Sequence, residues 1–312
     1  MKTIDEAING FFKHCKYEKN LSDKTIKAYK IDLRQFCAFI ERGAFCSMIN
    51  GIEKLVVRDF VQSISGFKPK TIKRKIAVLK VLFNYLEFED EIAVNPFRKM
   101  KLNFREPKIL PSVMNLHEVE SVMKSAYKVL RTKKGGENVK IEGLRNIALF
   151  ELLFAIGARV SELSFLRTEN VDLVQGLIKL EGKGSKERLI QVCNLETLIS
   201  LKQYDAIVSF TQSNRQYFFV NRLKTRLSDQ SIRSIVKRHV SLAKLKRHVT
   251  PHTFRHTFAT LLLEEGVDIK YIQQMLGHSS IATTQIYTHV SKEKQKIILS
   301  TLHPRRHFLL RK

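Results

Sequence analysis

Six side chains in the later part of this 312-residue chain could together break and remake a phosphodiester. Within residues 250–287 stand a His-x-x-Arg pair (His252, Arg255), a Gly-His step (Gly277, His278) and, nine residues later, Tyr287. Arg159 and Lys183 stand upstream. When a weak nucleophile attacks a phosphodiester, negative charge builds on the non-bridging oxygens and on the leaving oxygen. Two guanidiniums, Arg159 and Arg255, can neutralise phosphoryl oxygens in a bidentate way. His278 can donate another hydrogen bond. His252 can take the phenol proton, and Lys183 can protonate the departing 5′ oxygen. Tyr287 would form a covalent phosphodiester that stores the bond energy. Taken singly, each residue has a plainer reading: an internal salt bridge from Arg159 to Glu162, an ordinary turn lysine, a half-buried tyrosine. The combination fits one chemistry, which calls for no metal, nucleotide or other cofactor.

The elements that must position these groups can be read in turn. Thr250 caps a helix with Pro251 at its first position, and Phe254, Phe258, Leu261 and Leu262 form its core stripe. His252 and Arg255 lie on another side of it. Asp268 caps the next helix, IKYIQQML, which stops at Gly277. Arg159 follows an apolar helix that Gly157 breaks. Periodicity then switches from helical to alternating, and Val171–Leu173, Leu177–Leu180 and Glu187–Val192 read as three short strands. Lys183 lies between two glycines at the tip of the hairpin joining the last two. The spacing of a P-loop is absent there, so ATP use is not indicated. The stretch 131–143, with two glycines and mixed charge, reads as an exposed loop. Tyr271, His256 and His289 take structural readings.

The first hundred residues read as an independent bundle of helices. One carries Ile26, Tyr29, Leu33, Phe36, Cys37 and Ile40 inward, with Lys24, Lys27, Lys30 and Arg34 on its other face. A shorter one, near 53–64, is expected to place Leu55, Phe60 and Val61 inward. A third carries Ile72, Ile76, Leu79, Leu82, Phe83 and Leu86 beside Lys68, Lys70, Lys73, Arg74, Lys75 and Lys80. Basic helix faces can neutralise successive phosphates. Lys24, Lys27, Lys70, Lys73 and Arg74 are the candidates here. In the later half a helix from Ser228 carries Arg233, Lys237, Arg238 and His239 for the same purpose. Residues 94–112 are basic and spaced by Pro96, Pro107 and Pro111. The expected division is a helical DNA-binding domain at 1–103, a basic linker at 104–112 and a catalytic domain at 113–312.

Bulk properties narrow the class. Lys and Arg outnumber Asp and Glu by 55 to 30, a net charge of +25, and both halves share the excess. A basic globular chain of this kind most often binds a polyanion, nucleic acid first. The four cysteines form no C-x-x-C pair, so neither a zinc ribbon nor a disulfide framework is expected. The N-terminus does not read as a signal peptide, and no apolar run approaches a membrane span. The expectation is a cytoplasmic protein without a membrane partner.

The segments ARVSEL (158–163), EGKGSKERL (181–189), TPHTFRHTFATLLLEEG (250–266) and LGHSSIATTQIYTHV (276–290) resemble the tyrosine recombinases, most nearly the Xer-type and phage-integrase members. The first domain resembles the family's core-binding domain more loosely, through LSDKTIKAYKIDLRQF and KTIKRKIAVLKVLFNYL. The chain departs from the pattern at Ile156 and Ala158 and in the length of 131–143. The resemblance implies a fold that is mostly α with a small antiparallel β-sheet: an N-terminal helical bundle and a C-terminal mixed α/β catalytic domain. It implies that Arg159, Lys183 (not Lys186), His252, Arg255 and His278 are catalytic and that Tyr287 is the nucleophile. It further implies site-specific recombination of double-stranded DNA through a 3′-phosphotyrosine, by a tetramer on two sites. That tetramer would contain this chain alone or include a paralogous recombinase. Chromosome segregation, phage or transposon integration and plasmid resolution are all compatible roles. The tail KEKQKIILSTLHPRR resembles the helix that docks on a neighbouring protomer, with Ile297, Ile298 and Leu302 as its apolar side. A type IB topoisomerase would use the same chemistry on one duplex, and a DNA-binding regulator could keep the scaffold without it. The Xer-like spacing, the candidate docking tail and the full set of catalytic candidates favour recombination.

Overall fold

A computed structural model describes residues 2–43, 45, 48–104, 113–132, 134–182, 187–212, 214–277, 292–308 and 310, with backbone alone for 292–296. Lys183, His278, Tyr287 and linker residues 105–112 lie outside this set. The chain divides into two compact units, Met1–Ile109 and Leu110–Lys312.

In the first unit, α1 (Ile4–Lys13) opens with a reciprocal cap. The Thr3 hydroxyl accepts from the Glu6 N–H at 3.3 Å, and the Glu6 carboxylate accepts from the Thr3 N–H at 2.8 Å. A π-helical turn over His14–Glu18 leads to α2 (Asp23–Arg42), capped by Ser22 as its sequence suggests. Then come α3 (Lys54–Ser63) and α4 (Pro69–Phe88), the latter with proline in its first turn. Phe11, Phe36, Phe60 and Phe83 fill the core, with Phe36 edge-on to Phe60 at 5.0 Å. Phe97 is buried in this core, and Met100, Leu102 and Phe104 pack against it.

Two expectations fail in this unit. Leu55 is 64% exposed, because the apolar stripe of α3 runs through Val56, Val57, Phe60 and Ile64 instead. Lys75 is buried rather than on the basic face, and its ammonium donates to Asp32 at 2.9 Å. Asp32 is itself buried and also ion-paired with Arg74. A buried ammonium is tolerable only with such a partner. Lys24, Lys27, Lys70, Lys73 and Arg74 are exposed as expected, although the Arg74 guanidinium is held on Asp32.

The second unit is built around α6 (Glu137–Ile156), preceded by α5 (Leu116–Thr132). Residues 131–132 thus end α5 and 137–143 begin α6, so the stretch 131–143 is not a loop throughout. Every residue of α6 from Arg145 to Ile156 is buried. A helix buried on every side belongs in the middle of a core. Four elements complete the surroundings of that core: α7 (Val160–Ser164), α8 (Leu195–Thr211), α9 (Asp229–Leu242) and α10 (Pro251–Glu264). An antiparallel sheet in the order β1 (Val171–Asp172), β2 (Leu177–Glu181), β3 (Glu187–Gln191) pairs Ile178 with Ile190. It lies where alternation predicts it. Short α11 (Ile269–Leu276) follows α10. The fold is therefore mostly helical with one small antiparallel sheet.

Helix α12 (Lys292–Thr301) and the 3-10 turn Pro304–His307 pack on the chain's own second unit. Ile298, Leu299, His303, Arg305, Phe308 and Leu310 are buried there, while Ile297 is 60% exposed. The anchor is Arg305, whose guanidinium donates to Glu151 on α6 at 2.8 and 3.1 Å. Glu151 also accepts from Tyr127 and Thr197, each at 2.8 Å. The Arg305 charge is upheld against the cost of burial by Glu151 and Glu196.

Candidate active site

Three helix ends meet around Arg159 and Arg255. Helix α6 ends at Gly157, whose φ of +57° is a left-handed conformation natural to glycine. A Cβ there would also lie 2.6 Å from Phe258. The chain turns, and Arg159 becomes the extended residue before α7. Glu162, in the first turn of α7, accepts from the Arg159 backbone N–H and from its Nη1, each at 2.7 Å. Helix α11 ends at Gly277, again left-handed with φ of +62°.

Arg255 comes from the first turns of α10 and is buried. Its Nη1 donates to the Gly157 carbonyl at 2.8 Å and its Nη2 to the Leu276 carbonyl at 2.6 Å. Arg159 reaches the same helix end, donating to Leu276 at 3.3 Å and Gly277 at 3.0 Å. The carbonyl end of a helix carries partial negative charge, so it is a natural cradle for cations. Two guanidiniums are thereby held together immediately before His278 in sequence. No carboxylate among the described residues bonds to Arg255. Burial, reinforced by the neighbouring Arg159 charge, pulls its pKa down to about 9. Such a pair would gain from a bound anion.

His252 is exposed in the first turn of α10, its ring centroid 6.4 Å from that of His256. Its pKa is lowered by desolvation and then by the charges of His256, Arg255, Arg233 and Arg159. The shift favours the neutral ring, the form that can accept a proton. Arg233 on α9, first read as part of a basic face, thus belongs to the electrostatic surroundings of His252. Lys237, one turn on, is exposed on the same side. His239 is not part of that face. It is fully buried, edge-on to Phe150 at 5.2 Å, with Nδ1 2.9 Å from the Ser125 hydroxyl. Burial pushes its pKa down to about 4.

One residue of this site was not singled out in the sequence. Arg188 on β3 donates from Nη1 and Nη2 to the two oxygens of Glu162, both at 2.7 Å. Its side chain is 11% exposed, and that of Glu162 only 2%. Burial alone would raise the Glu162 pKa, but the hydrogen bonds and charge of Arg188, with those of Arg159, hold it below the usual value. Strand alternation contained the signal, since Arg188 is two residues before buried Ile190 and shares its face.

Residues 113–294 match the phage integrase family, and residues 8–90 match its N-terminal SAM-like domain. A tyrosine recombinase of Agathobacter rectalis is 44% identical over 311 residues, covering 99% of both chains. Tyrosine recombinase XerC of Thermodesulfovibrio yellowstonii is 35% identical, covering 95% of this chain and 96% of its own. Among solved structures, XerH site-specific recombinase bound to difH substrate, a pre-cleavage complex, is 25% identical with a TM-score of 0.66. That match covers 90% of this chain and 82% of XerH. The chain belongs to the phage integrase family, as a Xer-like tyrosine recombinase and an enzyme of site-specific DNA recombination.

Proposed function

We propose that the enzyme cuts and rejoins double-stranded DNA through a 3′-phosphotyrosine at Tyr287. The phenol oxygen of Tyr287 bonds to phosphorus as the bond from phosphorus to the 5′ oxygen breaks. His252 takes the phenol proton, and Lys183 gives a proton to the departing 5′ oxygen. Arg159, Arg255 and His278 hold the charge that builds on the phosphoryl oxygens. A 5′-hydroxyl from a partner duplex then attacks the phosphotyrosine and releases Tyr287. One phosphodiester is exchanged for another, so the chemistry needs no ATP. The cationic side chains supply the charge stabilisation for which other phosphoryl-transfer sites use metal ions.

The observation that carries this reading is the pair of guanidiniums, Arg159 and Arg255, on the end of α11. Both are held by backbone carbonyls, and their charges add to burial in favouring the neutral form of His252. Four strands are exchanged when two duplexes recombine. With one tyrosine per protomer, a tetramer on two sites follows, made of this chain alone or with a paralogous partner. The exposed Lys24, Lys27, Lys70, Lys73 and Arg74 of the first unit, and Arg233 and Lys237 of the second, would neutralise backbone phosphates.

The test is adduct formation on nicked duplexes of randomised sequence, which lose the 5′-hydroxyl fragment on cleavage and trap the covalent complex. Wild type is expected to yield a denaturation-resistant adduct with a recoverable sequence, and Tyr287→Phe none. An adduct formed equally by Tyr287→Phe refutes the assigned nucleophile.

A further inference from the structure

Glu162 poses a problem for the site it helps to build. A buried carboxylate 2.7 Å from Arg159 would pair with that guanidinium and cancel the charge wanted at a phosphate. Arg188 removes the conflict. Glu162 Oε1 accepts from Nη1 of both Arg159 and Arg188, while Oε2 accepts from Arg188 Nη2 and from the Arg159 backbone N–H. The carboxylate is thus met by four donors, two of them a fork from Arg188. Arg159 has its backbone and one edge fixed, and its side chain remains 30% exposed. Counted as charges, Arg159 with Glu162 alone is neutral, whereas the three together carry a net +1.

We propose that Arg188 is a positioning residue for strand cleavage: it neutralises Glu162, so that Glu162 orients Arg159 without consuming its charge. This rests on the reading of Arg159 as a phosphate-binding arginine. Arg188 does not itself touch the phosphate. It lies against the α11 terminus, where a Cβ on Gly277 would come 3.2 Å from its Nη1. A cation on the strand is thereby coupled to the helix end that also holds Arg159 and Arg255. With Arg188 replaced by an uncharged side chain, Glu162 turns its full charge on Arg159. Replacing Glu162 as well by glutamine restores the net +1 with the shape of the cluster little altered.

The duplexes recovered with wild type provide the assay, with single-turnover adduct formation by the full chain as the readout. Arg188→Met is expected to cleave roughly 100-fold more slowly than wild type, the scale of losing one preorganised charge contact. On the same duplex with a methylphosphonate at the scissile position, one charged oxygen is gone and one fewer cation is needed. There the deficit is expected to shrink at least tenfold. Glu162→Gln/Arg188→Met is expected to cleave at least tenfold faster than Arg188→Met on the ordinary phosphodiester. Thermal unfolding and duplex binding of each variant report on folding separately. Wild-type rates for Arg188→Met overturn the proposal. So does an equal deficit on both phosphates with no recovery in the double variant, which is the signature of a merely structural role. Failure of wild type to form any adduct instead overturns the strand-cleavage reading, and this proposal with it.

Discussion

Two of the buried arginine–carboxylate clusters among the described residues of the second unit have opposite stoichiometry. Around Glu162, one carboxylate is shared by Arg159 and Arg188, and Arg255 stands close by on the α11 end. Around Arg305, one guanidinium is shared by two carboxylates, Glu151 and Glu196. The first cluster has cationic charge to spare, and Arg159 stays partly open. The second is closed: the side chain of Arg305 is 1% exposed and that of Glu151 is fully buried. Both obey the rule that a buried charge needs partners. The balance of charge separates the proposed phosphate site from a strut that holds the tail.

The sharpest way to break this comparison is to remove a cation from the first cluster. Arg255→Gln is expected to slow adduct formation about a thousandfold, near 4 kcal/mol of transition-state stabilisation, because in the proposed mechanism two guanidiniums serve one phosphate. Urea unfolding is expected to move by only about 1 kcal/mol, since glutamine can still donate to one of the two carbonyls. A large stability loss with chemistry intact in the remaining folded protein would make Arg255 a strut as well.

The converse substitution is Arg305→Met. It strands Glu151 in the core beneath Tyr127 and Thr197, and breaking a buried pair in this way costs about 3 kcal/mol. The loss is expected in urea unfolding, with the adduct rate per folded molecule within a few-fold of wild type. A chemical defect larger than the stability defect would instead join the tail to the catalytic centre.

Acid should act on the two clusters in sequence. His303, beside Arg305, is buried with Nε2 3.2 Å from the Phe154 carbonyl, and burial pushes its pKa down to about 4. Its folded pKa lies below its unfolded value, so its contribution is whole above about pH 6.5 and is lost as pH falls towards 4. At most about 3 kcal/mol is at stake. His239 titrates in the same direction over the same window. Glu162 is also lowered, but as a carboxylate its contribution is lost only below its ordinary value of 4.5. Urea unfolding between pH 7 and pH 4.5 should therefore weaken the second unit through its buried histidines, and His303→Gln should flatten that slope. An unchanged slope in both His303→Gln and His239→Gln would place the acid response elsewhere.

The sequence was most informative where the physics is local. Caps at Ser22, Thr250 and Asp268, proline at 251, glycine at 277 and the alternation of the three strands all announce structure within a few residues. So did Arg159 and Glu162, three residues apart. What it concealed depends on distant partners. Lys75 looks like one more lysine on a basic face until Asp32, 43 residues earlier, is folded against it. His239 looks like a member of an exposed basic run until Ser125 and Phe150 enclose it. Arg305 looks like part of a free basic tail, because Glu151 is 154 residues away. Arg188 was hidden differently: it lies among charges that read as a hairpin, and only alternation with Ile190 marks its inward side.

Two glycines offer the finest test of where the site ends and the core begins. Both Gly157 and Gly277 close a helix at positive φ, so alanine at either costs about 1 kcal/mol of backbone strain. Their surroundings differ. At Gly157 the new Cβ meets Phe258 at 2.6 Å and Leu276 at 2.9 Å, packed side chains with little room to move. At Gly277 the nearest atoms among the described residues are those of the Arg188 side chain, at 3.2 Å to Nη1 and 3.3 Å to Cδ. Gly157→Ala should therefore lose stability well beyond the strain. Gly277→Ala should lose little more than the strain but press Arg188 off Glu162, slowing adduct formation by about tenfold as a preorganised contact loosens. That loss should vanish when Arg188 is already methionine, because the contact transmitting it is gone. Equal and additive losses in the two backgrounds would mean that Gly277 acts through the α11 terminus itself and not through Arg188.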